Sequence, residues 1–542
     1  MNENKIKHYY HLTVIIFLFF THYSIAEGDS DGNLVSVRWL EKNMNNENIL
    51  ILDASPSKMY AAQHIPGAIN ADFMTYGGPD IPVSRMEELF QTWGVSPGKK
   101  IVIYDQGGSI MATKLLYDLY YYGFPRNDLF ILDGGLSKWQ EAGLKITNEK
   151  ILQPMKGSFR INIINEDVRV RLPEFLTATG DKKNYTLVEA LEASWHFGEL
   201  QFFDRPGHIP NGIMLPSGDF YNADKTFKSA DEIRMMLTHL DIKPEQQIYT
   251  YCGGGIAASV PFFALKFILD FPSVKIFSES ELGWLKDERE LPIWTYDAPY
   301  LLRETDWLKT WGSKMMRMYG VSQVSIVDVR TESEYSERHF PFAINISSNL
   351  FENNITNPSK LAVILGNAGV KETDEAVVIS RSGLTKESAL AFIMLEKLGQ
   401  KKVSVFIDSF EKWAELGNAI IKDTFAVGSS IQQVSYSINL HNEVIIENAN
   451  STKGLYSKIY IASGKDVPDI MLDGKVIHIP YTELVNIEGT PKAAKDIWNI
   501  LDKAGVSRYA ELICYSDDPG EAAVNYFILK LMGYPDIKVL VN

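Results

Sequence analysis

Cys252 ends an apolar run, Ile248 to Tyr251, and is followed by Gly253, Gly254, Gly255, Ile256, Ala257 and Ala258. Small residues between a strand and a helix let the backbone curl until successive N–H groups face inward. The positive end of the following helix adds to their field. A cysteine at the first position of such a loop lies against those donors, which favour its thiolate near neutral pH. The same donors would hold the outer sulfur of a persulfide. The glycines have a physical reason, because no Cβ blocks the curl or crowds the sulfur. Cys514, the second of only two cysteines in 542 residues, falls inside an apolar strand pattern, Ala510 to Tyr515. It reads as buried core, in a different unit from Cys252, and no disulfide between the two is expected. One functional thiol and one buried thiol is the expected picture.

The loop is positioned by a repeated unit, and repetition decides the architecture. In the first copy NILILDAS (Asn48 to Ser55) is a buried strand, then come QHIPGAIN (Gln63 to Asn70), KKIVIYDQGGSIMATKLLYDLYYYG (Lys99 to Gly123) and a strand ending in LDGG. The second copy has TLVEA (Thr186 to Ala190), RPGHIPNGI (Arg205 to Ile213), the cysteine loop, and VKIFSESELGWLKD (Val274 to Asp287). The third and fourth repeat the order around SRSGLT (Ser380 to Thr385) and YSDDPGEAA (Tyr515 to Ala523). Short apolar strands alternating with helical patterns predict an α/β chain: four tandem domains, each a parallel sheet with helices on both faces. The boundaries expected are 33–148, 160–296, 312–422 and 438–542, the last copy degenerate, with linkers near 148–160, 295–312 and 422–440. Only the second copy places a cysteine at the loop start; Asp105, Ser380 and Ser516 stand at the matching positions. A hydroxyl cannot form a persulfide, so those three copies read as scaffold, substrate wall or partner-binding modules.

The formal charge of -15 argues against nonspecific nucleic-acid binding and against anionic membrane surfaces. Lys5 and Lys7, the apolar run Leu12 to Phe20 and the small residues Ser24 to Ala26 form a secretory signal pattern over residues 1–26. The run is far shorter than the roughly 20 residues of a membrane span. An exported, periplasmic or secreted protein without a membrane anchor after cleavage is expected. Ten histidines are scattered without metal-ligand spacing beside the cysteines, and no Walker or dinucleotide fingerprint follows a strand. No metal and no cofactor are expected.

HIPGA (His64 to Ala68), LDGGLSKWQEAG (Leu132 to Gly143) and CGGGIAA (Cys252 to Ala258) together resemble the rhodanese (thiosulfate sulfurtransferase) superfamily, which includes the 3-mercaptopyruvate sulfurtransferases. The resemblance runs over nearly the whole chain after residue 26, weakest in the fourth copy. It implies a sulfurtransferase: a small donor gives sulfane sulfur to Cys252, and a thiol, cyanide or a partner protein's cysteine takes it, by ping-pong nucleophilic catalysis. It also implies that the first copy covers the pocket of the second. Several residues depart from the pattern. Where active members have Asp-x-Arg after the first strand, this chain has Glu189, Ala190 and Leu191. Gly253 and Gly254 replace cationic or hydroxyl side chains, Trp195 aligns with a substrate-binding arginine, and Ser278 to Glu281 replace the DGSW-like element. Arg205, beside His208, is the remaining cation near the loop. Candidate substrate contacts are therefore Gly253, Gly254, Gly255, Ile256, Ala257, Ala258, Trp195 and Arg205. Asp53 and His64 match positions near the active site of mercaptopyruvate enzymes, although His64 also suits a strand-end tie. Phosphatases of this fold carry an arginine six places after the cysteine; here that position is Ala258.

Two functions stay open: a sulfurtransferase working through Cys252, and a non-catalytic binding or scaffold protein in which Cys252 is a vestige. The altered pocket is expected to suit a bulkier or less charged donor than thiosulfate.

Overall fold

The computed structural model describes residues 30–76, 78, 80–149, 155–201, 204–422 and 433–541. The signal pattern over 1–26, and the centres of the linkers at 148–160 and 422–440, lie outside them. Among the described residues no helix is long and apolar enough to cross a membrane.

Four sheets follow one another along the chain. In the second, the spatial order is Arg169–Val170, Val274–Phe277, Gln247–Tyr251, Tyr185–Glu189, Gly212–Met214, all parallel. The third and fourth repeat that order, and the first adds a two-residue antiparallel edge strand, Ser30–Asp31. In every sheet the strand that feeds the loop is central: Lys100–Tyr104, Gln247–Tyr251, Glu375–Ile379 and Glu511–Tyr515. Central strands are covered on both faces, which is why their sequences are continuous apolar runs rather than alternating ones. Glu375–Ile379 and Glu511–Tyr515 are buried at every position. Leu302–Arg303 pairs with Lys402–Phe406, so the third sheet draws on residues ahead of 312. The stretch 295–312 is accordingly packed structure: Tyr296 donates its hydroxyl to the Lys492 carbonyl at 2.5 Å.

The units pack in pairs. One apolar cluster joins Phe90, Leu116 and Phe124 of the first unit to Ile233, Phe262 and Phe267 of the second. A second cluster joins Leu390 and Leu395 of the third to Leu512 and Leu531 of the fourth. In each pair, the helices that follow the two loops lie against each other. Tyr117 meets Phe262 edge-on at 5.2 Å, and Phe392 meets Phe527 edge-on at 4.9 Å. Burying one such ring stabilises the pair by about 1.5–3 kcal/mol. A hairpin of the second partner caps the first partner's loop in both pairs. Asn222 N bonds Thr226 O at 2.8 Å in one hairpin, and Tyr221 there donates to Ser109 O at 2.7 Å. Asn486 N bonds Thr490 O at 2.8 Å in the other, where Gly489 O accepts from Leu384 N at 2.7 Å. The two pairs meet where the second unit touches the fourth: Phe197 stacks on Trp498 at 5.3 Å, and Arg508 donates to Met214 O at 2.8 Å.

Candidate active site

Cys252 follows the central strand directly, and its loop is laced to the segment after the next strand. Cys252 N donates to Ser280 Oγ at 3.1 Å, Glu281 N to Cys252 O at 3.0 Å, and Leu282 N to Gly253 O at 3.0 Å. The chain curls back so that Gly255 N donates to Cys252 Sγ at 3.1 Å. The glycines are not equivalent. Gly255 has φ +84°, and a Cβ there would stand 2.3 Å from Ser278 O, so the close approach of two backbones excludes any other residue. A Cβ on Gly254 would meet nothing within 4 Å. The helix that follows, Ser259–Phe263 continued by a π turn over Ala264–Ile268, has no side-chain cap at its start. Cys252 itself is 3% exposed.

The other three loops are filled by their own side chains. Asp105 accepts from Gly107 N (2.8 Å), Met111 N (3.2 Å) and Ala112 N (2.9 Å). Burial pushes its carboxyl up, against the pull of those three amides. Ser380 is buried and donates its hydroxyl to Gly383 O of its own loop at 2.8 Å, and Thr385 caps the next helix by accepting from Ser388 N. Ser516 donates to Glu521 at 2.6 Å, while Asp518 caps with Gly520 N at 2.8 Å. Cys514 lies fully buried in its strand, where burial drives its thiol far above the ordinary range.

A cavity of about 230 Å³ opens between the first and second units beside the Cys252 loop. Gly254, Gly255, Ile256, Ser278 and Arg169 line it from the second unit, and Phe73, Met74, Asp80, Lys114, Tyr117 and Tyr121 from the first. The first unit is thus a wall of this cavity. Its cations are paired: Arg169 holds Asp80 bidentately at 2.8 and 3.0 Å and Glu279 at 3.1 Å, and Lys114 pairs with Asp118. Cys252 is not among the residues lining the cavity. Of the residues expected to contact substrate, Gly254, Gly255 and Ile256 line it. Trp195 and Arg205 do not line it. Arg205 Nη1 donates to Leu291 O at 2.7 Å and so ties a turn, and Trp195 sits on the short helix Ala193–His196. Gly253 and Ala258 are buried, Ala257 half-buried. Asp53 and His64 are buried in the first unit, where His64 Nδ1 bonds Tyr60 O at 2.8 Å.

Sequence reasoning missed the acidic side of the site. Glu281 is buried beside Cys252, and burial, the Glu189 charge and the cysteine hold its carboxyl well above the usual range. That direction favours its protonated form. Glu189 is pushed up by burial, but His196 outweighs that and keeps it ionised. His196 occupies the electrostatic place left by Leu191: in the third unit the matching Arg330 pairs with Asp328 at 2.6 Å. The histidines expected to be scattered converge in part, since His196, His208 and Asp297 bring potential ligand atoms within 4.8 Å of one another.

A family model described as the rhodanese-like domain matches residues 36–142 and 310–416, the first and third units. Four sheets of one topology accompany this match. The first and third units are rhodanese-like domains. The chain has relatives of about half its length. A putative thiosulfate sulfurtransferase from Synechococcus elongatus is 28% identical over 274 residues, 47% of this chain and 83% of that protein. The sulfur carrier protein TtuD of Thermus thermophilus is 27% identical over 267 residues, 46% and 93% respectively. A probable 3-mercaptopyruvate sulfurtransferase from Pseudomonas aeruginosa is 26% identical over 292 residues, 49% and 100%. Each match has the extent of one rhodanese pair, the packing unit of the fold. At family level these relatives support sulfur transfer as the activity class.

Proposed function

We propose that Cys252 carries sulfane sulfur as a persulfide. The Cys252 thiolate attacks the outer sulfur of a donor; an S–S bond forms at Cys252 while the donor's bond to that sulfur breaks, and the donor leaves with the electron pair. A thiolate or cyanide then attacks the outer sulfur, and the Cys252 thiolate leaves. The observation that carries this reading is the 3.1 Å bond from Gly255 N to Sγ, in a loop followed by a helix that no side chain caps. Those amides stabilise sulfur anions before and after transfer. Burial beside Glu189 favours the protonated form of Glu281, which lessens the charge that would work against them. The test is mass spectrometry after incubation with a sulfane-sulfur donor. Addition of one sulfur at Cys252, removed by cyanide and missing from Cys252→Ser, is expected; an unmodified thiol would overturn it.

The donor proposed is bulkier or less charged than thiosulfate. The support is a cavity walled by Phe73, Tyr117 and Tyr121 whose cations, Arg169 and Lys114, are already neutralised by carboxylates. Turnover is expected to be higher with polysulfide or mercaptopyruvate than with thiosulfate, and thiosulfate as the best donor would refute this. One observation favours the second reading, a rhodanese-like binding protein: Cys252 is 3% exposed and is not among the residues lining the cavity. A thiol inert to sulfur donors and to small alkylating agents alike would select it. Export is proposed from Lys5, Lys7 and Leu12 to Phe20. Sequencing the N-terminus of the mature protein checks it, with cleavage after Ala26 expected.

A further inference from the structure

Three side chains from separate stretches of sequence meet behind the second sheet, on its seam with the fourth unit. His196 ends a short helix, His208 stands in the HIP segment, and Asp297 lies in the connection to the third unit. We propose that His196 Nε2, His208 Nε2 and the Asp297 carboxylate form a binding site for a divalent transition metal, Zn²⁺ by the chemistry of its donors.

His196 Nε2 lies 2.8 Å from Asp297 Oδ1, and His208 Nε2 lies 3.5 Å from the same oxygen. Both histidine side chains are fully buried, and Asp297 is nearly so. Each ring has its other nitrogen committed. His196 Nδ1 bonds the Glu189 carboxylate, and His208 Nδ1 donates to the His196 carbonyl at 3.0 Å. His208, which gives its Nδ1 proton to a carbonyl, presents Nε2 as a ligating lone pair, the arrangement that orients metal-bound histidines, and His196 does the same once it gives up the proton its Nε2 donates to Asp297.

One atom carries the inference past mere proximity. His208 Nε2 is buried with no hydrogen-bond partner, 3.5 Å from Asp297 Oδ1. Buried polar atoms are nearly always paired, so an orphan facing the cluster points to a missing occupant. Two imidazoles and a carboxylate are three of the four ligands of a zinc site, leaving one position for water or another donor. With bonds of about 2.0–2.1 Å, tetrahedral ligands stand roughly 3.3 Å apart. The 3.5 Å pair is already near that spacing, and the 2.8 Å pair has to widen. The two rings now stack at 3.7 Å with 2° between planes, and a shared metal would splay them until both lone pairs meet.

The nearby charges are the Glu189 and Asp297 carboxylates and the Arg508 guanidinium, whose Nη2 is 3.9 Å from Asp297 Oδ2. A metal would take the place of the proton that His196 holds between the two carboxylates. A metal here would pin the second unit to the chain segment that docks on the fourth, since Ala298 N bonds Leu531 O at 3.1 Å. The site is linked to Cys252 through Glu189 and Glu281, and its test reads metal uptake, not sulfur transfer.

The full chain, stripped with chelator, is titrated with Zn²⁺ and with Co²⁺. Expected are one metal per chain by elemental analysis, a rise in Tm, and the visible absorption of tetrahedral Co²⁺. His208→Gln and Asp297→Asn should each weaken binding by about tenfold or more, while His441→Gln, at an exposed histidine elsewhere, binds as wild type. Circular dichroism of the metal-free variants separates loss of ligand from loss of fold, and Asp297→Asn preserves shape if His208→Gln unfolds. No stoichiometric uptake by the wild type, or equal uptake by both ligand variants, would overturn the proposal.

Discussion

The loops of the first and second units share a backbone and differ in what fills it. In the first, Asp105 supplies a carboxylate to three amides of its own loop and helix. In the second, a shorter side chain leaves the helix start without a side-chain cap and takes one amide, Gly255 N, onto sulfur. Both loops also press a left-handed glycine onto the next strand's end: a Cβ on Gly107 would stand 2.2 Å from Gly134 O, and one on Gly255 2.3 Å from Ser278 O. Asp105 thus shows within the same molecule that these amides turn onto the side chain at the loop's first position. It also explains why the first unit serves as a wall: its loop is already filled.

The largest effect expected is at the reacting atom. Cys252→Ser abolishes sulfur uptake and turnover, measured by mass spectrometry and a cyanide assay, whereas Cys514→Ser keeps both. Next is the backbone contact. Gly255→Ala adds a clash with Ser278 O to a left-handed backbone that alone costs about 1–2 kcal/mol, so sulfur uptake should fall at least about tenfold. Asp105→Ala sharpens the comparison from the other side. It strips three buried amides of their acceptor, at about 1–3 kcal/mol for an unsatisfied group. Denaturant unfolding should show that loss while the rate of uptake at Cys252 stays within about twofold. Ser280→Ala removes the acceptor of Cys252 N and should cost about 1 kcal/mol of stability.

The smallest effect is on pH dependence. Burial pushes Asp133 from 3.8 to about 6, and its carboxylate accepts from Phe227 N of the capping hairpin at 2.8 Å. A raised folded-state value favours the protonated form. Its contribution is therefore complete below pH 3.8 and lost as pH rises through about 6. Asp133→Asn should flatten the stability profile across that interval; an unchanged slope would mean the group is not perturbed.

Much of the fold is legible from the chain. Ile101 to Tyr104, Ile248 to Tyr251 and Leu512 to Tyr515 read as doubly covered strands, because a central strand in a parallel sheet has no polar face to encode. The cysteine loop is legible too, and so is the burial of Cys514. The surroundings of Arg205 and Trp195 were not legible, because proximity along the chain does not give direction: Arg205 reaches Leu291 O, and neither residue lines the cavity. Lys114, Tyr117 and Asp80 were invisible as site residues, since the first unit's sequence carries no mark of what its helix will face. The pairing of units was half legible. Four copies could be counted, but their grouping depends on which apolar helix faces match in shape, and those faces all look alike in sequence.

By itself, the sequence determined the strand–loop–helix repeat, the place of the sulfur in one copy and its absence from three. These follow from local causes: side-chain volume at glycine, the fixed chemistry of a thiol, and runs of apolar residues. Tertiary structure decided the cavity between the first two units, the burial of Glu281 beside Cys252, and the meeting of His196, His208 and Asp297. Each depends on groups far apart in the chain, brought together by packing that buries apolar area without regard to which polar atoms it carries along.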